Sequence, residues 1–401
     1  MKIKKILFII ILLLFFTHCF SYIGWSSSFA RRAEPLVLLI MLLQLFLLKG
    51  RLKTCRIHLR PFIVSFIVIP FISFIPAYFI HDQGFINSFL ASNFTLAYLL
   101  FFIYFALSFS PNTLLRILCV FGVFWVIIQC IQQVTYPHYW FATRFDTFEK
   151  SIEIRNGIYR YNTYGVPFGL ILLFYSFQKF FELGKRKFLI GIIMGLVGVY
   201  LTATRQIIAS SLLCLLVGLF IMGKIKSSHL LMFFIMASII YYNADSLFGD
   251  FIEMTEDVDE DYIRFIAYNY FGLEYNGGNL LAFLFGNGID FQSNVFYSPY
   301  GSEIMRLQEQ GLHRSDIGIV GMYSYFGIFY VITVLLFFIY MIRNRKNIEP
   351  YLQMYILYML MTTVMLYHFG YTAANIVTTC SIFYLIDCSI SKNKIKFLSK
   401  S

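Results

Sequence analysis

Phe188-Leu189-Ile190-Gly191-Ile192-Ile193-Met194-Gly195-Leu196-Val197-Gly198-Val199-Tyr200-Leu201-Thr202-Ala203 runs for sixteen residues without a charge and without alternating apolar and polar positions. A strand of a membrane barrel alternates, because one face meets lipid and the other the lumen. A continuous run instead predicts a helix, which satisfies its own backbone where no water is at hand. Working outward, basic residues stand before the run (Lys185, Arg186, Lys187) and Arg205 stands just after it. Comparable runs recur along the whole chain, Ile6 to Phe20 among them, and predict spans near 5–24, 34–49, 61–80, 89–109, 113–132, 163–181, 188–204, 206–223, 229–246, 317–342, 351–368 and 370–388. With 59% hydrophobic and only 13% charged residues, the chain has too few charges to coat a water-soluble surface. The sequence therefore reads as an all-α polytopic membrane protein of about twelve transmembrane helices, one integral membrane domain over residues 1–401. Pro70, Pro76 and Pro167 fall inside spans and predict kinks.

Orientation follows from charge. An N-terminus in the cytoplasm assigns 22 of the 32 Lys and Arg residues to that side, and 18 of the 21 Asp and Glu residues to the other. Cytoplasmic loops carry the Lys and Arg excess in membrane proteins. The net charge of +11 is thus a topology signal and not a nucleic-acid footprint. Both termini fall inside, and two outer loops, 133–162 and 243–316, are too long to be simple connectors. The second, between spans nine and ten, contains Ile263 to Phe285, apolar enough for one or two short helices lying against the membrane. The seven cysteines lie in or near apolar runs, except Cys55 in a basic loop; no pair has metal-ligand spacing, so neither disulfides nor a zinc site are expected.

Candidate chemistry gathers on the outer face. Arg205 heads a span at a tight outer turn, Arg160 (Tyr159-Arg160-Tyr161) precedes the sixth span, and Arg264 follows an acidic run. An arginine near the membrane surface is costly unless it is paired or faces water. Snorkelling to headgroups accounts for one such residue; three at one depth, on the side disfavoured for basic residues, point to an anionic substrate. Guanidinium forks match phosphate and diphosphate oxygens. At the mouth of the tenth span stands Gly311-Leu312-His313-Arg314-Ser315-Asp316-Ile317-Gly318-Ile319-Val320-Gly321. His313 is the one histidine of the large outer loop and suits proton transfer near neutral pH. Asp316 is placed to reach His313 or Arg314, although a capped helix start would also explain the cluster. Leu284-Phe285-Gly286-Asn287-Gly288-Ile289-Asp290 lacks the rest of a dinucleotide fingerprint and reads as a tight turn at the membrane surface. Asp257-x-Asp259-x-Asp261 opens like a calcium loop but has Tyr262 and Tyr268 where Gly and Glu are needed, so a solvated loop or a partner for the arginines is the simpler reading. Asp387 and His368, near the ends of the last two spans, raise a proton relay.

Taken together, Thr204-Arg205 opening a helix, the Arg264 segment leading into Leu284-Phe285-Gly286-Asn287-Gly288, and His313-Arg314-Ser315-Asp316-Ile317-Gly318 followed by Gly321 and Gly327 resemble the O-antigen polymerase and O-antigen ligase superfamily of bacterial envelope glycosyltransferases. The resemblance covers Arg160 to Phe337, about half the chain, and each motif alone is short and degenerate. Ligases of that superfamily usually carry Asn or Ser soon after the histidine and Trp after the second arginine; here stand Ser315 and Tyr270, which leaves ligase and polymerase both open. The resemblance implies an undecaprenyl-diphosphate-linked glycan donor and acceptor in the bacterial inner membrane, and inverting transfer with no metal and no cofactor. It also implies a chain-length regulator and a flippase as partners. Arg205 and Arg264 would stabilise the leaving diphosphate, with Arg160 in support. His313 would take the acceptor proton, and Arg314 and Asp316 would orient it or bind sugar. Tyr159, Tyr161, Tyr297 and Tyr300 are candidates for stacking on sugar faces. A transporter of the same lipid-linked glycan is the reading from another class.

Overall fold

The computed structural model describes residues 2–17, 27–53, 56–138, 140–141, 152–155, 157–161, 165–224, 263–291, 298–366, 368–370 and 372–398. Within them, six helices are long and apolar enough to cross a membrane: Arg60–His81, Phe85–Ala106, Pro111–Thr135, Val166–Leu183, Gly318–Arg343 and Ala373–Lys392. The protein is an α-helical, membrane-embedded bundle. Further helices coincide with other apolar runs of the sequence: α1 (Lys2–Thr17), α2 (Ser27–Lys53), and later Arg186–Leu201, Arg205–Ile221 and Pro350–Thr362. The expected ninth span (229–246), the acidic run with Asp257 and Asp259, and Tyr297 lie outside the described residues. A short antiparallel hairpin, β1 (Ile152–Arg155) and β2 (Ile158–Tyr161), lies where only a loop was expected.

Proline shapes the third span as one break. Helix α3 (Arg60–Ile72) and helix α4 (Phe74–His81) meet at Ser73, with Pro70 in the turn before it and Pro76 in the turn after it. Each proline removes one backbone donor, so the two share a single interruption. Pro167 makes no kink: it stands in the first turn of α8 (Val166–Leu183), where its missing N–H would have had no partner. The fourth span is likewise segmented, as α5 (Phe85–Ser92), a 3-10 stretch (Asn93–Tyr98) and α6 (Leu99–Ala106), ahead of the unbroken α7 (Pro111–Thr135).

At the centre is α16 (Ala373–Leu398): 89% of its apolar window is buried inside the protein, against 39–61% for the other five spans. Helices α14 (Gly318–Arg343) and α3 share an aromatic core. Phe66 packs on Tyr98, Tyr330 and Phe369, and Phe337 on Phe369 and Phe383, in stacked, tilted and edge-on pairs. The Phe369 carbonyl accepts from both the Tyr98 and the Tyr330 hydroxyls. These rings also fix direction. Phe62 meets Phe337 and Tyr340 while Phe66, one turn on, meets Tyr330, so α3 and α14 are antiparallel. Arg60 and Arg343 therefore share one end of the bundle, and His81 and Gly318 share the other. Helix α10 (Arg205–Ile221) runs antiparallel to α15 (Pro350–Thr362): a Cβ on Gly218 would strike Met354, and Cys214 lies beside Tyr358. That places the Arg205 end of α10 toward the Thr362 end of α15.

Asp387 and His368 are held by different partners. The Asp387 carboxylate accepts the Leu59 N–H at 2.7 Å just before α3, tying the Arg60 end of that helix to α16. The His368 ring pairs with the Thr362 hydroxyl, at the opposite end.

Candidate functional site

The site is built on a broken helix. Inside α14, Gly327 has φ +75° and ψ −176°, values outside the helix. A break in an apolar helix strands carbonyls that must find donors. The segment after α12 (Leu280–Phe285) supplies them: the Asn287 N–H donates to the Ser324 carbonyl at 3.0 Å and the Gly288 N–H to the Tyr325 carbonyl at 2.8 Å. Contact at the crossing is close. A Cβ on Gly286 would lie 2.3 Å from Phe326 N, and one on Gly327 would lie 2.3 Å from the Leu284 oxygen. The Leu284–Asp290 stretch, expected as a surface turn, is thus docked into the bundle, with Asn287 and Asp290 both buried.

Docking brings Asp290 to Arg314. The Arg314 side chain is 1% exposed, and its Nη2 donates to Asp290 Oδ1 at 2.9 Å. Its Nη1 donates to the Tyr300 hydroxyl at 3.1 Å, and that hydroxyl in turn donates to the Gly288 carbonyl. The guanidinium lies 4.3 Å from the Tyr325 ring centroid and 5.6 Å from those of Phe271, Tyr275 and Tyr300. Burial pushes the Tyr275 and Tyr300 phenols up, so both stay protonated at physiological pH. A desolvated guanidinium with a carboxylate partner and aromatic walls is a well-matched buried charge.

His81, the last residue of α4, closes the assembly. Its ring stacks on Tyr300 at 4.0 Å and lies parallel to Tyr275 at 5.9 Å. Its Nε2 is 3.0 Å from Asn287 Oδ1, and Nδ1 is 3.9 Å from Glu303 Oε2 on α13 (Pro299–Glu309). Asn287 spends its amide hydrogens on Asn276 Oδ1 at 2.8 Å and the Ser324 carbonyl at 3.2 Å. Asn276 continues the chain to the Tyr323 hydroxyl. Gln83 pins the neighbouring extended segment, bonding Phe291 N and the Ile289 carbonyl.

The elements carrying the expected catalytic residues converge. The Gly311–Asp316 turn bears His313 and joins α14, whose Ile319 N–H donates to the Thr363 carbonyl. Helix α11 (Ile263–Asn269) bears Arg264: Ile263 abuts Gly311, and the Tyr268 hydroxyl donates to the Val364 carbonyl. Arg205 heads α10 at the same end of the bundle. Arg264 is exposed, and Arg205 and His313 are half-buried. Among the described residues the His313 ring has no hydrogen-bond or ion-pair partner.

Four expected substrate-binding residues have partners within the protein. Arg314 is buried and committed to Asp290, not to Asp316; Asp316 is exposed and accepts from Ser315 at 3.1 Å. Tyr161 is turned inward, its hydroxyl donating to the Gln132 carbonyl at 2.6 Å, and burial pushes it up to about 12. Tyr159 stacks on Tyr136 at 3.7 Å, while Gln133 bonds its backbone N–H and carbonyl. Arg160 stands opposite Glu153 in the hairpin, which packs on α7 and α9 (Arg186–Leu201).

Sequence reading passed over His81, Glu303 and the pairing role of Asp290. The available signal was a histidine ending an apolar run at Ile80-His81-Asp82-Gln83, a polar stop more elaborate than a span end needs. Among the described residues no three His, Cys, Asp or Glu side chains gather as a metal site. No protein-family model matches this chain, and no curated protein matches it.

Proposed function

We propose that this protein is a membrane glycosyltransferase that polymerises undecaprenyl-diphosphate-linked oligosaccharide repeat units at the extracytoplasmic face of a bacterial inner membrane. In this reading the chain crosses the membrane about twelve times, with both termini in the cytoplasm and the large loop between spans nine and ten outside. The observation that carries it is that the turn bearing His313 and the helix bearing Arg264 meet the residues after Thr362, at the end of the bundle where Arg205 heads α10. A lipid diphosphate is already a good leaving group, so the reaction needs cations where negative charge develops and a base for the incoming hydroxyl. Arg205 and Arg264 supply the first, and a histidine supplies the second. Arg160 extends the cationic surface from the hairpin. A chain-length regulator and a flippase would be working partners.

Arg205→Ala and His313→Ala tests it. The expected result is a membrane protein of normal abundance and a build-up of lipid-linked single repeats. Normal chain length in both variants would overturn the assignment. A ligase that moves finished glycan onto lipid A-core or protein is the second reading, favoured by Ser315 after His313. It predicts unattached long chains in the same variants. The separate partners of Asp387 and His368 weigh against a relay for transport.

A further inference from the structure

We infer that His81 is a proton-accepting group of this site, with Nδ1 as the atom that gains and loses the proton and the Glu303 carboxylate as its counter-charge. Asn287 sets the tautomer of the ring. Both its amide hydrogens point at acceptors, Asn276 Oδ1 and the Ser324 carbonyl, so its Oδ1 is the end that faces His81. An oxygen there requires a hydrogen on Nε2. In the neutral imidazole that leaves the lone pair on Nδ1, directed toward Glu303 Oε2 at 3.9 Å. The ring cannot readily flip to exchange the two nitrogens, because it is stacked on Tyr300 and lies parallel to Tyr275. Asn287 orients the ring from the nitrogen opposite the reactive one, as the third group of a catalytic triad does, and Glu303 supplies charge that favours the protonated ring.

The charged and titratable groups around it are Glu303 and Tyr300 on α13, Tyr275 on the turn after α11, Arg314 on the next turn and Asp82 beside it in the chain. Asp290 is held by Arg314. Glu303 is therefore the anion free to stabilise an imidazolium, and its side chain is 39% exposed, which opens a way to water. The role in turnover rests on the transfer reaction proposed above. There, the acceptor O–H bond breaks as oxygen attacks the anomeric carbon, and the bond from that carbon to the diphosphate breaks with its electron pair leaving on phosphate oxygen. The proton passes to His81 Nδ1 and on to solvent past Glu303.

His81→Gln is the discriminating variant, because the glutamine amide keeps a donor for Asn287 and has nothing that titrates. We expect normal abundance and a 100-fold or greater fall in turnover, roughly the contribution of a positioned base, with little change in KM. Glu303→Gln removes the anion that favours the imidazolium, so the acid limb of the rate–pH profile moves to lower pH. Wild-type turnover and an unmoved limb in both variants would overturn the catalytic role. A second measurement needs no activity: 15N-histidine spectra of the full protein in micelles, with the His81 signals identified by their loss in His81→Gln. Titration at Nδ1 with Nε2 keeping its hydrogen is the expected result; a hydrogen on Nδ1 in the neutral form would overturn the inference. If the spectra agree and the wild type transfers no glycan, the transfer reading has failed and the tautomer assignment stands.

Discussion

His313 and His81 stand at the same end of the bundle, linked through one buried arginine. Arg314 follows His313 in the chain and donates to Tyr300, whose ring stacks on His81. The two histidines are otherwise opposites. His313 sits on a surface turn whose composition advertises chemistry, yet its ring is held by no described residue. His81 ends an apolar helix and advertises little, yet one nitrogen is fixed by Asn287 and the other faces a carboxylate. The difference teaches that a motif shows which residues can react, whereas the hydrogen bonds around a ring show which nitrogen can. Only the second depends on residues from five separate stretches of chain.

Substitutions separate the roles of the two histidines and of the buried arginine between them. The largest effect is expected at the base: His81→Gln should lower transfer by roughly 10²–10⁴-fold, measured as repeats joined per folded protein. A fall in His313→Ala but not in His81→Gln would move the base to the Gly311–Asp316 turn. Next, Asp290→Ala leaves the Arg314 charge buried without its carboxylate and should cost roughly 3–5 kcal/mol of stability, read as a large loss of thermal midpoint in detergent. The double replacement Asp290→Leu with Arg314→Met should recover most of it, since the buried charge is then gone. Gly286→Ala should cost less, roughly 1–3 kcal/mol, because a methyl group would press on the Tyr325–Phe326 peptide. Asp316→Asn should change stability by less than about 0.5 kcal/mol, since its carboxylate is exposed and, among the described residues, bonded only to the adjacent Ser315.

Much of the fold was legible because a bilayer leaves a sequence few options. A continuous apolar run must become a helix, and the runs at 61–80, 113–132 and 317–342 coincide with helices α3–α4, α7 and α14. The break at Gly327 was not legible, since Tyr325-Phe326-Gly327-Ile328 is as apolar as its surroundings. What makes the break tolerable is a pair of N–H groups from Asn287 and Gly288, about forty residues upstream. Arg314 was singled out for its charge, but its fate depended on Asp290, reached only when that segment docks. Glycines at 286, 288 and 327 were the trace of this in the sequence. They show that backbones approach closely and do not say which ones.

The central claim is glycosyl transfer from a lipid diphosphate at the end of the bundle bearing Arg205, Arg264 and His313. Its most direct test uses the lipid-linked material that accumulates in cells carrying Arg205→Ala, incubated with purified wild-type protein in liposomes. The account predicts chains longer than one repeat together with release of the free lipid diphosphate, and neither with Arg205→Ala protein. Lipid-linked material left unchanged by the folded wild-type protein would contradict it.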